Sequence, residues 1–177
     1  MRMDRGGAVL LLVDLQERLV PALHGGDGVV SRAVRCAEAA RLLEVPVRAT
    51  EQNPAGLGPT VAPLRGAADA VLAKTSFSAV ADPHWADLLP PQTRQVVVAG
   101  CEAHVCVLQT VLDVLDLGLG VAVVADATGS RDPRDRDAAM ARAARSGADV
   151  VTSEMVLFEW LGDAAHPRFR EVQKLLR

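Results

Sequence analysis

Asp14, Lys74 and Cys106 are a carboxylate, an ammonium and a thiol, and each follows a different strand-like apolar run. Together these groups suit attack on a carbonyl. A thiolate is a strong nucleophile. A carboxylate within reach can take the thiol proton and later return it to a leaving amine. A lysine beside both can stabilise the thiolate and hold the carboxylate ionised. Each residue also has a plainer reading. Free cysteine is among the most buried residue types, so Cys106 could be core packing. Asp14 could cap the turn after its strand. Lys74 could be a solvated surface lysine.

The element that must place the thiol is the stretch RQVVVAGCEAHVCVLQTVLDVLDL, residues 94–117. Val96, Val97 and Val98 are β-branched and read as a buried strand that Ala99 and Gly100 end. A turn over residues 101–104 leads into an apolar helical pattern from about Val105 to Gly118. Cys106 then falls at a helix start, where unpaired N–H groups and the positive end of the dipole favour a thiolate. The expectation is a low-pKa cysteine, alkylated near pH 6 ahead of Cys36 and Cys101.

The other two residues follow strands as well. Residues 8–13 form a continuous, non-alternating apolar run that suits a strand buried on both faces, and Asp14 ends it. Residues 70–73 read as a weaker strand ending at Lys74. Between them lie an amphipathic helix over 29–44, with Cys36 as packing, a strand over 45–50 with Pro46 near its start, and a Gly- and Pro-rich loop over 51–59. A short helix over 82–89 stops at Pro90 and Pro91. Residues 119–124 read as a fifth strand. Asp132 and Pro133 start a helix that Gly147 ends, and residues 149–152 read as a sixth strand. Ser153 caps a helix through Leu161, and Pro167 begins the last helix.

Strands alternating with helices imply an α/β fold, a three-layer, doubly wound Rossmann-like sheet of about six mainly parallel strands. No repeat or linker interrupts the chain, so residues 1–177 read as one domain. All strand carboxyl ends then share one edge, where open α/β sheets bind ligands. Asp14, Lys74 and Cys106 are expected together there.

Composition excludes several function classes. The chain has 177 residues, half of them hydrophobic, and a formal net charge of −3 with no basic stripe for nucleic acid. Three Phe, two Trp and no Tyr argue against a base-stacking platform. Three cysteines without a secretory signal point to a reducing, cytoplasmic setting rather than a disulfide framework. The apolar run at 8–13 is too short for a signal peptide or a membrane span. The C-terminal helices carry apolar faces that one sheet need not cover, so a homo-oligomer is expected.

The motifs resemble those of the isochorismatase-like cysteine hydrolases. The resemblance is carried by Leu12-Val13-Asp14-Leu15-Gln16, by Lys74-Thr75-Ser76-Phe77-Ser78, and by residues 100–110, GCEAHVCVLQT. Thr50-Glu51-Gln52, residues 56–60 (GLGPT), Ala125-Asp126-Ala127 with Ser130-Arg131, Thr152-Ser153-Glu154-Met155 and residues 162–167 (GDAAHP) are similar to the isochorismatase-domain-containing branch. The resemblance implies the isochorismatase-like hydrolase fold and a Cys106–Asp14–Lys74 triad. It implies cleavage of a C–N bond in a small amide, or of a vinyl ether in isochorismatase itself. It further implies substrate and oxyanion contacts from Gln16, Gln52, Phe77, Glu102, His104 and Val105, a cis peptide at Cys101–Glu102, and oligomers. Asp14→Asn and Lys74→Ala are each expected to abolish turnover without unfolding the protein.

Two departures narrow the activity. Metal-dependent nicotinamidases carry an Asp-x-His…His set after the second strand, whereas residues 51–60 here hold no histidine, so no catalytic metal or other cofactor is expected. True isochorismatases have no cysteine at the nucleophile position. Cys101, His104 and Cys106 offer only three ligands where a closed zinc site needs four. A catalytically idle binding module is the alternative from another class. A thiol-redox protein is weaker, because Cys101 and Cys106 do not form a C-x-x-C motif.

Overall fold

The computed structural model describes residues 2–176. Its centre is a six-stranded sheet in which all neighbouring strands pair in parallel. The strands are β1 (Ala8–Val13), β2 (Val47–Gln52), β3 (Ala70–Lys74), β4 (Gln95–Cys101), β5 (Gly120–Gly129) and β6 (Asp149–Val151). Their spatial order is β3-β2-β1-β4-β5-β6, the doubly wound order in which the winding reverses between β1 and β4.

Helices cover both faces. Among them are α1 (Gly26–Leu42), α2 (Pro54–Leu57), α3 (Trp85–Leu88), α4 (Leu108–Asp116), α5 (Pro133–Arg145), α6 (Ser153–Leu161) and α7 (Phe169–Lys174). Alternation along the strands divides the core. Leu10, Leu12, Val97 and Ala99 pack with Ala33 of α1, Trp160 of α6 and Val172 of α7. Leu11, Val13, Val96 and Val98 pack with Trp85 of α3, Val111 of α4 and Met140 of α5. Every residue of β1 and β4 is buried, as unbroken apolar runs require of central parallel strands.

Several boundaries differ from the sequence reading, each for a local reason. β2 begins at Val47 rather than Val45, because the register with β1 starts at the pair Leu10–Val47. α1 starts at Gly26, ahead of the apolar pattern, where Gly25 has φ +65°. β5 runs on to Gly129 past an irregularity: Val98 pairs with Val123, but Gly100 pairs with Thr128. The cap of α6 is Thr152, whose hydroxyl accepts from the Met155 N–H at 3.3 Å. Ser153 instead donates to Asp126 Oδ2 at 2.6 Å, tying α6 to the irregular part of β5. Among the described residues no helix is long and apolar enough to cross a membrane.

Candidate active site

The winding reversal places the ends of β1 and β4 side by side, and Asp14 is the first residue beyond β1. Its φ is +50°, a left-handed conformation unusual for a non-glycine residue. The side chain is fully buried, and both carboxylate oxygens have partners. Thr50 Oγ1 donates to Oδ1 at 2.6 Å, and Lys74 Nζ donates to Oδ2 at 2.9 Å.

Lys74 ends β3, two strands from β1, and reaches Asp14 past the end of β2. Gln52 is its register partner in β2 and accepts from Nζ at 2.7 Å through Oε1. The Ser76 and Phe77 carbonyls accept from the same ammonium, each at 3.2 Å. Gln52 Nε2 donates to the Thr75 carbonyl at 2.7 Å, closing the segment after β3 around the lysine. The ammonium is thus fixed by four oxygens, far from the solvated surface lysine of the plainer reading.

Cys106 lies in a π turn, Ala103–Val107, that follows a cis Cys101–Glu102 peptide and runs into α4. The expected cis bond is therefore present. The thiol is 5% exposed and close enough to the Asp14 carboxylate for that charge to act on it. Burial first, and then the Asp14 charge, push its pKa up to about 12, while Lys74 opposes the shift. This corrects the expectation of a resting low-pKa thiolate. The helical turn begins at Ala103, so Cys106 is not its first residue, and desolvation beside a carboxylate outweighs the dipole. Cys106 is thus held as a thiol near the Asp14 carboxylate.

The turn is clamped from the segment after β5 and from α5. Glu102 Oε2 accepts from the Arg131 N–H and from Arg131 Nε, both at 3.0 Å. His104 Nδ1 lies 3.0 Å from Ser130 Oγ, and its Nε2 lies 3.8 Å from Asp135 Oδ2. The Val105 and Val107 N–H groups donate to the Glu102 carbonyl at 3.1 and 3.2 Å. Phe77, whose carbonyl holds Lys74, is 54% exposed. Gln16 has a different role from the expected substrate contact. It is fully buried, its Oε1 accepts from the Gln52 N–H at 2.8 Å, and its Nε2 donates to the Gln52 and Gly58 carbonyls at 3.0 and 2.7 Å. Both ends of its amide are committed to pinning the loop after β2.

Sequence reasoning left Thr50, Cys101, Ser130 and Arg131 without roles. Thr50 gave no local signal, because it reaches Asp14 through the register of β2 against β1. Among the described residues no three of His, Cys, Asp and Glu are grouped to hold a metal ion. Cavity size does not mark the site either: a cavity of about 460 Å³ lies at Arg2, Met155 and Phe158, by α6. The buried polar network is the better guide, since such networks are retained at functional sites.

Residues 8–155 match the model of the isochorismatase domain. The chain is 47% identical over 172 residues to Isochorismatase domain-containing protein 2 of Homo sapiens, covering 97% of this chain and 84% of that one. Among solved structures, a MAR1 ribonuclease from Caenorhabditis elegans superposes with a TM-score of 0.93 at 37% identity, over 99% of this chain and 92% of the other. An octameric hydrolase of unknown specificity from Escherichia coli superposes with a TM-score of 0.86 at 25% identity, over 98% and 95% of the two chains.

Proposed function

The chain belongs to the isochorismatase family, and from that premise we propose that it is a cysteine hydrolase that cleaves the C–N bond of a small amide through a thioester on Cys106. The observation that carries this reading is the convergence on one carboxylate. Asp14 is held by Lys74 and Thr50 in a buried network, and its charge acts on the Cys106 thiol. As the sulfur attacks the substrate carbonyl carbon, Asp14 takes the thiol proton. The carbonyl oxygen becomes an oxyanion and turns to the Cys106 N–H, because the Val105 and Val107 N–H groups already donate to the Glu102 carbonyl. Collapse breaks the C–N bond, and Asp14 passes its proton to the departing nitrogen. Water then gives a proton to Asp14 and attacks the thioester, which releases the carboxylic acid and restores the thiol. Lys74, saturated by four oxygens, holds the charge balance and moves no proton.

The supports for the setting are separate. The three free cysteines fit a reducing cytoplasm. The octameric relative and the exposed Met155 and Phe158 support a homo-oligomer. An acidic chain of pI ≈ 5.8 lacks the electrostatic footprint of an RNA binder, which favours a small molecule although one relative is called a ribonuclease.

The test is a screen of small primary and secondary amides with released ammonia or amine as the readout. It compares wild type with Cys106→Ala and includes single-stranded RNA as a further substrate. Turnover that Cys106→Ala lacks, with an acyl adduct on the Cys106 peptide by mass spectrometry, supports the proposal. RNA cleavage, or amide turnover that survives Cys106→Ala, refutes it. No turnover and no adduct on any amide returns the chain to the idle binding module.

A further inference from the structure

Cys101 is a second thiol at the site and takes no part in the chemistry above. It is the last residue of β4, fully buried, and its Sγ donates to the Asp14 backbone carbonyl at 3.1 Å. We propose that Cys101 is a positioning residue, whose S–H bond to the Asp14 carbonyl holds the left-handed backbone that aims the Asp14 carboxylate at Cys106. The inference rests on the reading of Asp14 and Cys106 as base and nucleophile.

Three observations lead there. The first is the conformation that needs holding: Asp14 has φ +50°, which a non-glycine residue keeps only when its surroundings over-determine it. The second is how the carbonyl is held. It accepts from the Gln16 N–H at 2.8 Å and from Cys101 Sγ, two donors for two lone pairs. The Asp14 N–H donates in turn to the Thr50 carbonyl at 3.1 Å. The third is the close approach of the strands. At Gly100, φ is +142°, and an added Cβ would lie 2.1 Å from the Val13 carbonyl oxygen. β4 is therefore pressed against β1 just before Asp14, and the next side chain along β4 is that of Cys101. Burial, and then the Asp14 charge, push the Cys101 thiol well above its usual range, so it stays protonated and keeps its donor.

A core cysteine and a donor cysteine answer differently to substitution. At a packing site Val or Ala is tolerated better than Ser, because a buried hydroxyl without a partner is unfavourable. At a donor site Ser works and Ala or Val does not, since only Ser can donate to the Asp14 carbonyl. The experiment follows iodoacetamide labelling of the Cys106 peptide at pH 8, by mass spectrometry, with the Cys36 peptide of the same digest as a monitor of global opening. Below its pKa a thiol reacts in proportion to its thiolate fraction. Asp14→Asn removes the neighbouring negative charge and is expected to speed Cys106 labelling about tenfold or more. Cys101→Ala and Cys101→Val are expected to speed it about threefold, as a loosened carboxylate loses part of its hold on the thiol. Cys101→Ser is expected to match wild type, and Cys36 labelling is expected to be unchanged in the Cys101 variants. The inference is overturned if Ala and Val match wild type, if Ser is as fast as Ala, or if Cys36 accelerates in parallel with Cys106. Val fills the space that Ala leaves and carries the test should Ala not fold. If Asp14→Asn itself matches wild type, the coupling of Asp14 to Cys106 is wrong and this inference goes with it. If Asp14→Asn is fast and both apolar variants are not, only the role of Cys101 is lost.

Discussion

Lys74 and Asp14 form an ion pair at 2.9 Å in which neither side chain has exposed surface. They belong to β3 and to the end of β1, and the residues of β2 between them, Thr50 and Gln52, bond to one partner each. A buried pair of this kind adds little net stability compared with an apolar core, but either charge left alone is strongly unfavourable.

The pair revises the expectation that Lys74 can be removed without harm to the fold. Lys74→Met is expected to lower unfolding free energy by about 3–5 kcal/mol, because it leaves a buried carboxylate uncompensated. Adding Asp14→Asn to Lys74→Met should recover more than about 1 kcal/mol of that loss. Urea titrations of the two single variants and the double variant measure the coupling. Simple additivity of the two losses would contradict the buried-pair account.

Gly100 is where the backbone of β4 comes closest to that of β1. With φ at +142° and an added Cβ 2.1 Å from the Val13 carbonyl oxygen, Gly100→Ala must separate the two central strands. The expected cost is about 3 kcal/mol or more. A thermal melt within experimental error of wild type would contradict the close approach.

Alkaline instability follows from the thiols. Cys36 is pushed up to about 12, first by burial and then by the Asp126 charge, and Cys106 is raised to a similar value. The unfolded chain releases these protons above its ordinary thiol pKa of 9.0, while the folded chain keeps them. The unfolded state then binds fewer protons, so stability falls as pH rises from about 9 toward 12, by about 1.4 kcal/mol per pH unit for each thiol. The chain has no tyrosine to titrate in the same range. Cys36→Ala is expected to be less stable at pH 7 and to lose stability less steeply above pH 9. Denaturant midpoints at several pH values give the slopes, and equal slopes for the two proteins would count against the shift at Cys36.

The architecture was legible because its signals were local. β1 and β4 are unbroken apolar runs, and Asp132 with Pro133 marks a helix start that the Asp132 cap bears out. Asp14 and Lys74 could be placed at one edge because strand ends are readable and parallel strands share an edge. What could not be read depends on register and on backbone geometry. Thr50 reaches Asp14 only because Val13 and Thr50 pair across β1 and β2. Gln16 reads as a polar residue near a site, but its partners Gln52 and Gly58 are fixed by a loop whose path no periodicity reveals. Cys106 shows the main limit. The helical pattern placed it at a dipole, while burial and the adjacent carboxylate, both products of tertiary packing, decide its protonation.

Assembly is expected from the surface at β6 and α6. Val150, Met155 and Phe158 are 38%, 45% and 41% exposed, and β6 is an edge strand. Apolar residues grouped by an open edge favour pairing with another chain. Light scattering at micromolar concentration should give a mass at least twice 18.7 kDa. Met155→Glu with Phe158→Glu should lower that mass while leaving the circular dichroism spectrum unchanged. A wild-type monomer at that concentration would end the proposal.

The division of labour within the triad gives the last prediction, and it uses whatever amide the screen finds. Asp14→Asn keeps a group that can accept from Thr50 Oγ1, but it offers no carboxylate to take the Cys106 proton, and its NH2 faces the Lys74 ammonium. Loss of proton transfer alone is expected to lower kcat about 10²–10⁴-fold. Lys74→Met should fall by a similar factor by a different route, since the carboxylate loses the cation that holds it in place. Residues that act as one unit do not contribute additively, so Asp14→Asn with Lys74→Met should be little slower than either single variant. Rates are compared at equal folded fraction, set from the denaturant midpoints, because each single variant leaves a buried charge unpaired. If Asp14→Asn keeps most of its activity, the carboxylate is not the base. Its 2.6 Å bond from Thr50 and its left-handed backbone would then serve only to turn the chain at the end of β1.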